Sequence, residues 1–292
     1  MNTRRIAGVA TLLGSAMSNQ IGAAVGSFAF PVIGSVGVVA VRQFVAAAVL
    51  LPLARPHVRS YTRQQWWPVL LLALVFGVMN LSLYTAIDRI GLGLAVTLEF
   101  LGPLGVALAA ARSRGAVLCA VVVAAGVLAI THPEPSTDYL GVGFGLLGAL
   151  CWAAYILLNR TVGRRIPGAG GSATAAGVSA IVFVPVAIVV YVTTPPTAAS
   201  LLFAVVAGVL ASAVPYLADL SALRRVPAQL FSLLMSVNPI FAVVVGMVLL
   251  DQQPQPIEIV GVAVIVAANA VALLISAPKS ERRVRRLRSG IA

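Results

Sequence analysis

The sequence predicts an all-α membrane protein of ten transmembrane helices, built as an inverted five-plus-five repeat. Three observations carry that expectation. Hydrophobic residues make up 60% of the 292-residue chain and charged residues 10%, more apolar matter than a soluble core absorbs. Apolar runs of membrane-spanning length recur from end to end. The basic residues fall in alternate loops, the pattern that orients helices in a bilayer.

Crossing about 30 Å of hydrocarbon takes about 20 residues, and suitable runs lie near 6–27, 32–53, 66–87, 91–111, 115–131, 140–159, 171–193, 200–222, 228–250 and 257–277. The first follows Arg4 and Arg5 and continues past any small-residue cleavage site toward Phe30, so it reads as a retained helix and not a signal peptide. The second is followed by Arg55, Arg59 and Arg63, and the third opens on Trp66 and Trp67, an interfacial belt. Arg112 and Arg114 follow the fourth, and the loop after the fifth carries Glu134 and Asp138. Arg160, Arg164 and Arg165 follow the sixth, and Arg224 and Arg225 follow the eighth. Asp251 and Glu258 sit between the ninth and tenth, and the tail adds Lys279, Arg282, Arg283, Arg285, Arg286 and Arg288.

These positions place both termini in the cytoplasm. The intervening loops are acidic, with Asp88 beside the one basic exception, Arg89. The net charge of +12 therefore records topology and implies no nucleic-acid partner; the tail reads as a cytoplasmic anchor for the last helix, with contact to anionic lipid as the alternative. The expected units are a first five-helix repeat over 1–133, a second over 134–278 and a basic cytoplasmic tail over 279–292. Cys119 and Cys151 fall inside spans and read as small buried hydrophobes without a disulfide. His57 and His132 lie in loops on opposite faces, and neither a metal-ligand cluster nor a phosphate-cradling glycine motif is present. The sequence thus argues against an enzyme and implies no cofactor or metal.

Internal similarity sets the repeat. YTAIDRIGLGLAVTLEFLGPL at 84–104 lies over LSALRRVPAQLFSLLMSVNPI at 220–240, and LLGSAM at 12–17 over LLGALC at 146–151. Both matches put span one over six and span four over nine. Because five is odd, the two units enter the bilayer in opposite orientations, a recurring build for secondary transporters. Gly102-Pro103 and Asn238-Pro239 occupy equivalent places in the two halves. There each proline removes a backbone hydrogen bond, marking Gly102, Pro103 and Pro239 as hinge candidates; tolerated membrane kinks are the plainer alternative.

Four stretches make the chain recognisable: VVAVRQF, LAVTLEFLGPLGVAL, GALCWAAYIL and VPYLADLSALRRVPAQLFSLLMSVNP. In that order they resemble the drug/metabolite transporter superfamily, and most closely its EamA-type threonine and homoserine exporters of bacterial inner membranes. The resemblance covers essentially the whole chain. It implies ten helices, an inverted repeat and export driven by the proton-motive force. Where relatives often carry an acidic residue before the proline of the ninth helix, this chain has Asn238.

Charges at membrane depth cost several kcal/mol in order of magnitude and face a cavity, a partner or a substrate, which singles out Arg42, Glu99 and Asp219. Glu99 lies one turn before Pro103, with Ala95 and Gly102 leaving room beside it. A carboxyl group in such surroundings holds a proton until a cation arrives, the requirement for proton coupling. Arg42 keeps its charge and offers a planar fork to a carboxylate. Together they suit the two ends of a zwitterion; a static Arg42–Glu99 ion pair is the alternative. Asp219, close to Arg224 and Arg225, reads as a gating or structural charge. Asn19, Gln20, Asn80, Tyr84, Trp152, Tyr155 and Asn238 are the further candidates, each with an interhelical hydrogen bond or an interface anchor as its plainer reading. The expected partners are a small zwitterion, protons and the lipid bilayer. An exporter of another small metabolite or of a cationic drug is the alternative function, and a non-transporting sensor or scaffold a more distant one. The sequence does not set the oligomeric state.

Overall fold

The computed structural model describes residues 3–111, 138–215 and 237–268, with single positions at 118, 121, 122, 125, 126, 218, 235 and 271. Among the described residues the regular structure is helical: α1 (Thr3–Ser27), α2 (Phe30–Ala54), α3 (Arg63–Ile90), α4 (Leu92–Glu99), α5 (Leu101–Ala111), α6 (Tyr139–Arg165), α7 (Gly170–Thr193), α8 (Ala198–Gly208), α9 (Asn238–Leu249) and α10 (Pro256–Ala268). Four of these, α2, α3, α6 and α7, are long and apolar enough to cross a membrane. The expected fourth span is divided into α4 and α5. The expected fifth span and Asp219 lie largely or wholly outside the described residues, so the count of ten rests on the sequence.

Local chemistry explains where the helices start and bend. Thr62 and Gln65 form a reciprocal capping box at the start of α3, satisfying amides the first turn leaves free. Gly91, at φ 80°, closes α3 in a conformation that a side chain disfavours, and the Gln252 side chain then accepts from the first amide of α4 at 3.1 Å. In α2 the helix is kinked at Gly34, which adopts φ 66° and ψ 169°.

The helices pack through small residues. The largest buried cluster gathers Ala23, Ala24, Val38, Val39, Ala95, Ala204, Ala207 and Ala242 around Tyr84, because in lipid the backbones approach closely only where side chains are short. Large apolar residues such as Leu74, Ile181, Val192 and Val248 point outward, where lipid and not water meets them. The main helix contacts are α3 with α6, α2 with α7, α4 with α9, α3 with α7, α2 with α8, α4 with α6, α1 with α8, α5 with α6, α1 with α9, α2 with α3 and α3 with α4.

The fold sorts the charges by end. Gln65 donates to the Arg165 carbonyl at 2.8 Å and the Arg165 guanidinium lies 5.1 Å from the centre of the Trp67 ring, so the arginine-rich loops after α2 and α6 share one end. At the other end Arg89 pairs with Asp138 at 3.0 Å. The basic exception in an acidic loop is thereby neutralised locally.

Candidate functional site

The polar centre is a cavity of about 230 Å³ between α1, α2, α3, α4, α6 and the end of α8. Arg42 and Glu99 both line it, 7% and 5% exposed respectively. A wider pocket of about 420 Å³ opens at the acidic end among Asp88, Gly91, Gln252 and Glu258. Asp88 there is exposed and Glu258 half-buried, so it holds no deeply desolvated charge and the central cavity is the candidate site.

Arg42 is held on two sides. Its Nη2 donates to the Ala211 carbonyl at 3.1 Å and to Ser212 Oγ at 3.3 Å, while its guanidinium lies 4.6 Å from the centre of the Tyr84 ring. Among the described residues its buried Nε has no hydrogen-bond partner. Glu99 ends α4, with Gly148 of α6 facing its side chain. Pro103, four residues on, has no N–H to offer the Glu99 carbonyl, which is the local reason the helix breaks here.

This geometry departs from two readings of the sequence, the alternative of a static Arg42–Glu99 ion pair and the room expected beside Glu99. Arg42 and Glu99 share a cavity but form no ion pair, since among the described residues only Arg89 and Asp138 do; the arginine is turned toward the Ala211 carbonyl and the Tyr84 ring instead. Gly102 does not leave room beside Glu99, because the backbone carbonyl of Ala149 fills the space a side chain would take. The tight approach of α5 to α6 is what requires glycine at that position.

Of the remaining candidates, Asn19, Asn80, Trp152 and Tyr155 line the cavity. Asn80 donates to the Phe76 carbonyl at 2.8 Å. Trp152 stands edge-on to Phe100 at 5.1 Å and Tyr155 edge-on to Phe76 at 5.4 Å. The Tyr155 hydroxyl accepts from Asn159 Nδ2 at 3.0 Å, and Asn159 Oδ1 accepts from Ser172 at 2.8 Å. Tyr84 lies fully buried behind Arg42. Gln20 donates to Asn238 Oδ1 at 2.9 Å, and Asn238 Nδ2 donates to the Met235 carbonyl at 2.7 Å; this pair also sits outside the cavity wall.

Gln43, Phe76, Met79, Ala211 and Ser212, with the aliphatic Ala46, Leu50 and Leu83, complete the wall and were not legible as site residues. Gln43 had a signal, a polar side chain next to Arg42 in an apolar run. The others had none, because a lone phenylalanine, methionine, leucine, alanine or serine is ordinary in a membrane helix.

Outside the spans the Asp138 carboxyl group is electrostatically tuned. Asp138 accepts from the Gly141 amide at 2.9 Å and from Arg89 Nε at 3.1 Å. The amide, and then the guanidinium, hold its carboxyl below the usual carboxylate range.

Comparison with known proteins matches residues 139–274 to the EamA-like transporter family. Over 264 residues, 89% of each chain, the sequence is 33% identical to the threonine/homoserine exporter RhtA of Salmonella typhimurium strain LT2. It is 30% identical to RhtA of Escherichia coli K12 over the same share. A solved crystal structure with 19% identity superposes at a TM-score of 0.58 over 94% of this chain and 98% of the other, a likeness of fold.

Proposed function

This chain belongs to the EamA-like transporter family of the drug/metabolite transporter superfamily, and from that premise we propose that it exports small amino acids of the threonine and homoserine kind from the bacterial cytoplasm in exchange for protons. It is a multi-pass membrane transporter and its relatives are exporters. The observation that carries the finer reading is that two buried ionisable side chains share one cavity and, among the described residues, form no ion pair. Arg42 is a fixed cation suited to a carboxylate, and Glu99 is a carboxyl group suited to an ammonium or a proton.

Size and charge favour a small zwitterion over a cationic drug. Pockets for drug-sized ligands run from about 300 to 1,000 Å³, and this cavity is about 230 Å³. An arginine at its wall also repels a lipophilic cation. Asn19, Asn80, Trp152 and Tyr155 supply the remaining polar and aromatic wall, while Tyr84, Gln20 and Asn238 support it from behind. Asp219 is a gating or structural charge.

Alternating access through an inverted five-plus-five repeat is supported by how the helices pair. The packing of α3 on α6 is matched by α1 on α8, α3 on α7 by α2 on α8, and α4 on α6 by α1 on α9, while α2 on α7 and α4 on α9 map onto themselves. An exchange of halves leaves these pairings unchanged, while the contact of α2 with α3 has no comparable counterpart between α7 and α8. Gly102-Pro103 and Asn238-Pro239 are then the matched hinges. The segregated charges support an inner-membrane orientation with both termini cytoplasmic.

The test is flux of labelled threonine through the purified protein in liposomes under an imposed pH gradient. Threonine moving against its own gradient as protons move the other way is the expected result. Proton-driven flux of a lipophilic cation with none of threonine overturns the reading.

A further inference from the structure

Where α8 ends, the chain makes a π-helical turn over Val209–Ala213, in which the Val214 amide donates to the Val209 carbonyl five residues back. Such turns divert carbonyls from the regular ladder and recur at functional sites. Two consecutive carbonyls here are taken by side chains of other helices: Ser18 donates to Leu210 at 2.8 Å and Arg42 to Ala211 at 3.1 Å. The turn is also clamped, since a Cβ added at Gly22 of α1 would stand 2.7 Å from the Ala211 nitrogen. The π turn is thus a fixed wall that presents one carbonyl and one hydroxyl to the Arg42 guanidinium.

The polarity of that hydroxyl follows from its neighbour. A guanidinium only donates, so Ser212 Oγ accepts from Arg42 at 3.3 Å and its own proton is left to be donated elsewhere. Among the described residues none takes that proton, and Ser212 lines the central cavity. Arg42 Nε, buried in the same corner, also has no acceptor among the described residues.

We infer that Ser212 determines specificity for the substrate's carboxylate, donating to it while that carboxylate displaces the Ala211 carbonyl from Arg42. The inference rests on the amino-acid reading of the cavity and names the parts of its anionic end. A carboxylate adds Coulomb attraction and a two-point match to the guanidinium fork that a neutral carbonyl lacks, so the exchange favours a carboxylate and gives a carboxyl-free amine no advantage.

The experiment measures threonine flux in liposomes for the unsubstituted protein, Ser212→Ala and Ser212→Thr, with threoninol, in which the carboxylate is replaced by a hydroxymethyl group, as competitor. Ser212→Ala raises the KM for threonine about tenfold at unchanged maximal rate, the loss of a bond to a charged group. Ser212→Thr restores it, and threoninol competes equally against both proteins. An unchanged KM in Ser212→Ala overturns the assignment, as does a fall in threonine and threoninol affinity together, which marks a packing role. Should Ser212→Ala fail to accumulate, Ser212→Cys, a weaker donor of similar size, is read the same way. Absence of threonine flux in the unsubstituted protein takes down the exporter reading and this inference with it; normal flux with a silent Ser212 takes down this inference alone.

Discussion

Asn238 donates its side-chain amide to the carbonyl of Met235 at 2.7 Å, serving the acceptor that Pro239, lacking an N–H, leaves without its helical donor. The same side chain accepts from Gln20 at 2.9 Å. In the first half the residue before the proline is Gly102, which has no side chain to offer the carbonyl of Glu99. The two breaks therefore differ chemically: one is closed by a neutral amide, the other stands beside the ionisable group.

Asn238→Ala leaves both Gln20 and the Met235 carbonyl without their bonds in a buried site and lowers stability by about 1 to 3 kcal/mol. Asn238→Asp keeps the acceptor for Gln20 but, as a carboxylate, offers nothing to Met235 and sets two acceptors against each other. Its melting temperature in detergent falls at neutral pH and recovers in acid, where the protonated group can donate again. Equal melting of both variants and the unsubstituted protein refutes the capping role.

Glu99→Gln preserves volume and removes the proton that coupling requires. Threonine still equilibrates across liposomes but no longer accumulates under a pH gradient, and its flux loses its pH dependence. Retained accumulation with a normal pH profile shifts coupling to another residue.

Arg42→Lys keeps the charge yet lacks the planar fork that holds the Ala211 carbonyl and Ser212 and then takes a carboxylate in place of that carbonyl. Threonine KM rises about tenfold, the scale of one charge-assisted bond, while Arg42→Gln abolishes flux. Membrane abundance is measured first. Normal threonine flux in a well-accumulated Arg42→Gln variant, competed by lipophilic cations, makes the cation exporter the better reading.

Asp138 ties the start of α6 to the end of α3 through Gly141 and Arg89. Its carboxyl is held below the usual range, so its contribution is complete above the ordinary aspartate value of about 4 and is lost as pH falls through and below it. Asp138→Ala melts below the unsubstituted protein at neutral pH, and the difference closes on acidification. A difference that persists at low pH assigns the effect to packing instead of charge.

What the chain determined by itself is what depends on sums along it. Hydropathy over about 20 residues places spans whatever their neighbours are, alternate arginine-rich loops order them, and LEFLGPL with PYLADLSALRRVP carries the family. Arg42 and Glu99 were legible for the same reason, since a charge in an apolar run is costly wherever the helix sits. Tertiary structure decided the pairings. Arg42 meets a carbonyl 169 residues away and Gln20 an amide 218 residues away, contacts that depend on how each helix is rotated and crossed within the bundle. Ser212 became a wall residue only because a π turn, clamped by Gly22 and Ser18, aims it at Arg42. Hydrophobicity in lipid does not select such rotations; close packing of small residues and local hydrogen bonds do, and both are properties of helices already assembled.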